Sequence, residues 1–227
     1  MAHWGFLACA FATRATAGLS LIFFLLTAIN SPNQRKHLAQ LITPLIVVWV
    51  VLSAYNLERF GSIIEQGYSH QMLITPLEKA RSYGIFYPIH VPTNLYYFLL
   101  NPPVPVFKDQ ASHVLKFPFV RADYWGMSIL ITSPYFLWLL KSKKWNRVSN
   151  WMVLTILCIA IPIFFYYGVG VTQYGYRYSL DFLPLLFFLL MTLYFKQNKN
   201  VSLSMKSIFV LTGITNFYLF LTFMKII

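Results

Sequence analysis

The chain has 227 residues, of which 58% are hydrophobic, 19% aromatic and only 11% charged, with a formal net charge of +12. Soluble domains carry about 25% charged residues, so the composition excludes an ordinary water-soluble globule and points to an all-α, polytopic membrane protein forming one membrane domain over 1–227. The basic residues sit in short loops between apolar stretches and form no stripe interleaved with aromatics, which argues against a nucleic-acid partner and makes the lipid bilayer the first partner.

Residues 4–29 form the first apolar stretch, interrupted by Arg14. This is either one span carrying an arginine or two half-helices meeting near Thr13–Thr16. An arginine among small residues on a half-helix either lines a polar cavity or snorkels its charge to the interface. After the polar loop "SPNQRKHLAQ", with Arg35 and Lys36, residues 38–57 form the next span, with Pro44 as an early kink. Residues 58–123 are polar, aromatic and proline-rich, too broken to cross a bilayer. Within them "TPLEKARSYG" predicts a short helix, with proline at its start, an acid early, a base late and glycine at its end. "NLYYFLLNPPVPV" is stopped by Pro102 and Pro103, and at about 10 residues it suits an interfacial or re-entrant element. In "RFGSIIEQGY" and the residue before it, Glu58 and Arg59 read as a helix-end pair.

Residues 124–140, 151–171, 179–195 and 207–224 are the remaining spans, giving about five to six in all. The short loops at 31–37, 141–147 and 196–206 concentrate lysine and arginine and are expected to face the cytoplasm. The long segment 58–123 and the loop around Arg177 then share the non-cytoplasmic face. Cys9 and Cys158 lie in apolar stretches and read as small hydrophobes. The five histidines lack metal-ligand spacing, so no metal site is expected from them. Gly168 and Gly170 loosen a helix end, and there is no phosphate-cradling glycine loop or nucleophile elbow.

The loop "QYGYRYSLDFLPLL", residues 173–186, places Arg177 and Asp181 at the mouth of an apolar span. Ionisable groups at membrane depth mark functional sites or internal ion pairs. On a helix starting near Ser179, Asp181 lies in the first turn, where the macrodipole stabilises an anion. Spaced i, i+4, the two residues can pair if the helix extends back to Arg177. Alternatively, Arg177 snorkels to head groups within a belt of tyrosines. "VRADYWG" sets Arg121 and Asp123 just before a span, facing either the same cavity or water.

The pattern Arg177-Tyr178-x-x-Asp181-x-x-Pro184 resembles the GT-C superfamily of membrane glycosyltransferases, which use polyprenyl-phosphate sugars. "AFATRATAGL", "YNLERFGSIIEQGY", "YPIHVPTNLYYFLLNPP" and "YWGMSILITSPYFL" are similar to stretches of a large bacterial branch of that group. The resemblance implies a multi-pass protein of the bacterial inner membrane with a donor site on the non-cytoplasmic face. It implies that Arg177 binds the lipid phosphate, that Tyr176 and Tyr178 flank the sugar or isoprenoid, and that Gln173 and Asp181 complete the donor site. Arg14, Arg121 and Asp123 are candidates for the same cavity.

GT-C enzymes carry their catalytic acid, with which any divalent metal would belong, in a first non-cytoplasmic loop of a longer chain. Glu58, Glu65, Glu78, Asp109 and Asp123 correspond to a later loop, so no catalytic residue is assigned. The chain is expected to be the C-terminal portion of such an enzyme or a shortened relative. The other reading is a non-enzymatic transporter, flippase or assembly subunit, which often shows repeated halves. None is seen here.

Overall fold

The computed structural model describes residues 2–109 and 111–226. It is mostly helical. Three helices are long and apolar enough to cross a membrane: α4 (Gln34–Phe60), α8 (Arg147–Phe165) and α10 (Leu203–Phe223). At 1.5 Å per residue the 27 residues of α4 reach about 40 Å, longer than a hydrocarbon core of about 30 Å. Its outer face is apolar and exposed at Ile46, Val47, Val50 and Val51. Such a face is stable when lipid is the solvent. α4 stops at Gly61, whose φ of 69° only glycine adopts readily and whose N–H closes on the Leu57 carbonyl at 2.9 Å.

The first apolar stretch is not one span. It divides into α1 (Ala2–Thr13), α2 (Ala15–Gly18) and α3 (Leu21–Ile29). Arg14 is extended, with φ −152° and ψ 120°. Along an unbroken helix Phe11 and Gly18 would stand about 10.5 Å apart. Instead a Cβ added to Gly18 would lie 3.1 Å from the Phe11 Cβ. The chain therefore turns back on itself at Arg14, and α1 and α3 both pack beside α4.

Residues 58–109 and 111–123 do not form a span. They contain α5 (Thr75–Arg81), a 3-10 turn (Pro88–His90), α6 (Val91–Leu99) and an antiparallel hairpin of β1 (Val104–Phe107) and β2 (Leu115–Arg121). The stretch 124–140 departs from the continuous helix expected of it. It forms β3 (Trp125–Met127), α7 (Ile129–Thr132) and a 3-10 helix (Pro134–Lys141). Gly126 has φ 94°, and Ser133, just before Pro134, is held at φ −152°, because a following proline disfavours the helical region. β3 pairs in parallel with β4 (Gln173–Gly175), in the register Trp125↔Gln173 and Met127↔Gly175. These strands correct the all-α expectation. The span expected from Ser179 begins as a 3-10 helix (Arg177–Asp181) and becomes α9 (Leu183–Gln197), with Pro184 in its first turn.

The core forms where α8 meets α9. Met152, Ile156, Ile159 and Ile163 recur at helical spacing on one face of α8 and pack with Phe182, Leu189 and Leu193. At the end of α8 the last carbonyls lack helical partners. The Asn94 side chain, fully buried, supplies them. Its Nδ2 donates to the carbonyls of Phe164 (3.0 Å) and Tyr166 (2.8 Å), and its Oδ1 accepts from the Tyr176 hydroxyl at 2.8 Å. Leaving a buried polar group unpaired costs about 1–3 kcal/mol. Asn94→Ala strands three such groups, and we expect a loss of about 2–3 kcal/mol, read as a lower melting temperature of the detergent-solubilised protein.

Candidate functional site

The corner at Arg14 faces the last turns of α4, and the two enclose a cavity of about 420 Å³. That lies in the lower part of the range for small-molecule sites. The loop after α4 closes one side with Tyr68 and Gln71, and Tyr166 and Tyr178 close another. This loop is held from outside: Arg81 donates to the Ser69 carbonyl at 2.8 Å, and the Tyr167 hydroxyl donates to Gln71 Oε1 at 3.1 Å.

Two guanidinium groups line the cavity, from Arg14 and Arg59, and no carboxylate does. Arg14 is partly exposed. Its Nε lies 3.1 Å from Asp181 Oδ1, and the Asp181 side chain is only 3% exposed. The Thr16 hydroxyl donates to the other Asp181 oxygen. Among the described residues this is the one ion pair within 4.0 Å. Arg59 therefore has no acidic partner within that distance. Its Nη1 donates to the Tyr55 hydroxyl at 2.6 Å, and its guanidinium lies 5.1 Å from the centre of the Phe60 ring.

The tyrosines add donors. Burial pushes the Tyr68 hydroxyl up, only partly opposed by the charge of Arg14. Burial also pushes up Tyr166, which adjoins Tyr167. Both stay protonated near neutral pH and can donate to an anion. A cavity lined by two guanidiniums does not suit a metal cation, and among the described residues no group of three or more His, Cys, Asp or Glu could hold one.

The residues of the Arg177 loop are divided by the structure. Arg177 is exposed and lines neither described cavity. Its guanidinium lies 5.4 Å from the centre of the Tyr178 ring, the same ring that Arg14 approaches at 5.4 Å. Tyr178 lines the cavity, so Arg177 adjoins it through that ring. The i, i+4 pair between Arg177 and Asp181 does not form. In a 3-10 helix each residue advances about 120°, so positions four apart point in different directions, and Asp181 turns to Arg14 instead.

Tyr176 and Gln173 are committed to the loop itself. The Tyr176 hydroxyl is bound to Asn94. Gln173 Nε2 donates to the carbonyls of Trp125 (2.6 Å) and Val169 (2.7 Å), and its Oε1 accepts the Arg177 N–H at 3.3 Å. Arg121 stacks toward Tyr124, and Asp123 accepts the Trp125 N–H at 2.7 Å. Neither lines the cavity. The sequence reading paired Arg59 with Glu58, but neighbours in a helix point apart. The signal was the polar set Tyr55, Asn56 and Arg59, which with Leu52 recurs at i, i+3, i+4 and i+7 on one face of α4.

No protein-family model, curated protein or solved structure matches the chain.

The ion pair at the corner can be tested by a double-mutant cycle. Arg14→Met leaves a buried carboxylate unpaired and should destabilise the protein more than Asp181→Asn, which keeps a hydrogen-bond partner for Thr16. The coupling energy, read from melting in detergent, is expected at about 1–2 kcal/mol, below that of a fully buried pair because Arg14 is partly exposed.

Proposed function

We propose that the cavity binds the phosphate of a polyprenyl-phosphate-linked sugar on the non-cytoplasmic face, and that the protein is a membrane glycosyltransferase of GT-C type or the C-terminal portion of one. The observation that carries this reading is the charge imbalance: two guanidiniums line one cavity at the ends of apolar helices, and only Arg14 has a carboxylate partner. Guanidinium forks match phosphate oxygens, and arginine is less strongly hydrated than lysine, which suits a site at the membrane surface. The resemblance of the Arg177-Tyr178-x-x-Asp181-x-x-Pro184 stretch adds support. Within this reading Arg59 and Arg14 contact the phosphate, Tyr68 and Tyr166 donate to it, and Arg177 captures the lipid from the adjoining surface. Recognition, rather than proton transfer, is the part assigned to these residues.

The chain break at Arg14 favours a second reading. Broken helices with a charged residue at the break are a feature of transporters. Release of free polyprenyl phosphate, with the sugar passing to an acceptor hydroxyl, by the reconstituted protein separates transfer from translocation, which leaves the lipid-linked sugar intact.

Arg59 makes no ion pair, so Arg59→Ala and Arg59→Lys are expected to leave the melting temperature nearly unchanged. Loss of a charge-assisted contact is worth about 1.5–3 kcal/mol, so the affinity for polyprenyl phosphate in nanodiscs should fall about ten- to hundredfold in Arg59→Ala. Unchanged affinity in that variant would remove the cavity from the proposal. Arg177→Lys should weaken binding less.

The sidedness is proposed with it: about five to six crossings, counting the broken stretches, place residues 61–123 outside and the loops at 31–37, 141–147 and 196–206 inside. Ser69 and Lys143 are both exposed. Cysteines there should be labelled from opposite sides of intact cells by a membrane-impermeant maleimide, with position 69 reacting from outside.

A further inference from the structure

The β1–β2 hairpin lines neither described cavity, and its exposed residues are the wrong kind for water. Leu115 is 50% exposed, Phe117 59% and Phe119 51%, in a strand that also carries Lys116 and Arg121. Two hydrogen bonds tie this strand to the end of α10. The Tyr218 hydroxyl donates to the Pro118 carbonyl, and the Ala122 N–H donates to Thr222 Oγ1 at 3.1 Å. The order matters. Residue 122 meets the last turn of α10, and residue 118 meets the turn before it.

The depth follows from the length of α10. Its 21 residues reach about 31 Å, close to the thickness of a hydrocarbon core, so its end at Phe223 lies near the boundary. Tyr218 is five residues short of that end, about 7.5 Å back along the axis. Helical side chains lean toward the N-terminus, here toward the membrane interior. The carbonyl of Pro118 is therefore held at or below the head-group boundary, with Phe117 and Phe119 on either side of it. On the Tyr218 face of α10, one and two turns earlier, the surface is itself apolar and exposed at Ile214 and Leu211. The lipid-facing surface of the helix thus continues onto the hairpin.

We infer that the hairpin is a membrane-interfacial anchor: Leu115, Phe117 and Phe119 enter the adjoining leaflet, and Lys116 and Arg121 reach its phosphates. Residues 104–121 carry Lys108, Lys116 and Arg121 against Asp109, an excess that suits phosphate head groups. The polar tip, where Asp109 accepts from the Ser112 N–H at 2.7 Å, stays among the head groups. The occupant is the lipid leaflet, and the inference does not depend on the proposed function.

The test places an environment-sensitive fluorophore on single cysteines at Leu115, Phe117, Phe119 and Ser112, in the full chain with Cys9→Ala and Cys158→Ala, reconstituted in phosphatidylcholine–phosphatidylglycerol nanodiscs. Melting and elution profiles identify variants that fold, and the peripheral Leu115 position remains informative if the phenylalanine positions do not. Lipids carrying a nitroxide near the head of the acyl chain should quench positions 115, 117 and 119 several times more strongly than 112, and aqueous iodide should show the opposite order. Equal iodide quenching at all four positions would place the hairpin in water and overturn the inference. Protection of 115, 117 and 119 from both quenchers would overturn it too, by showing that a second copy or another protein covers them.

Discussion

A buried amide ties together the end of α8, helix α6 and the loop that carries Arg177. Helix α8 ends inside the protein, so its last carbonyls cannot turn to water. Asn94, on α6, answers them and at the same time accepts the hydroxyl of Tyr176 from the loop after α8. One side chain thereby fixes α6 to the end of α8 and to the loop after it, 70 to 82 residues further along the chain. Tyr176 in turn places Arg177 and Tyr178, and the 3-10 helix that follows presents Asp181 to Arg14. The aromatic packing of Phe98, Phe164 and Phe182 around this point excludes water, which makes the hydrogen bonds stronger and their loss more expensive.

Around the cavity, the three arginines differ in what restrains them. Asp181 is almost completely buried and needs a cation beside it, so Arg14 is held by a demand that is not its own. Arg177 is held by stacking on Tyr178, an interaction worth about 0.5–1 kcal/mol at an exposed site. That is comparable to thermal energy, a weak restraint beside the ion pair of Arg14. Arg59 stands between them, braced by Tyr55 and Phe60 without a compensating charge. The field in the cavity is set mainly by Arg59 for this reason, since the charge of Arg14 is largely cancelled at short range.

Hydropathy alone located α4, α8 and α10, because in lipid a helix satisfies its own backbone and needs only an apolar exterior. The interruption at Arg14 was also legible, as one of two alternatives. The stretch 124–140 was not, because hydropathy counts apolar side chains and is blind to backbone limits. Gly126 and the Ser133–Pro134 step break a sequence that is apolar enough to cross. Site residues were legible in type more than in partner. Arg177 and Asp181 stand out in the sequence as charges before an apolar stretch, but the choice of Arg14 over Arg177 depends on a 3-10 turn and on a segment from the other end of the chain. Arg59 was missed because its neighbour in sequence was taken for its neighbour in space.

The distance along the chain between the corner and its partners sets an order of assembly. Thr16 and Asp181 are 165 residues apart. During synthesis the Arg14 corner is made long before the residue that neutralises it. Until then its guanidinium must be kept near the head groups, where an arginine is tolerated. The first two half-helices are thus expected to wait at the membrane surface and settle against α4 and α8 only when α9 arrives. Closure of the Arg14 corner comes late in folding, after the residues that follow α8 have been made.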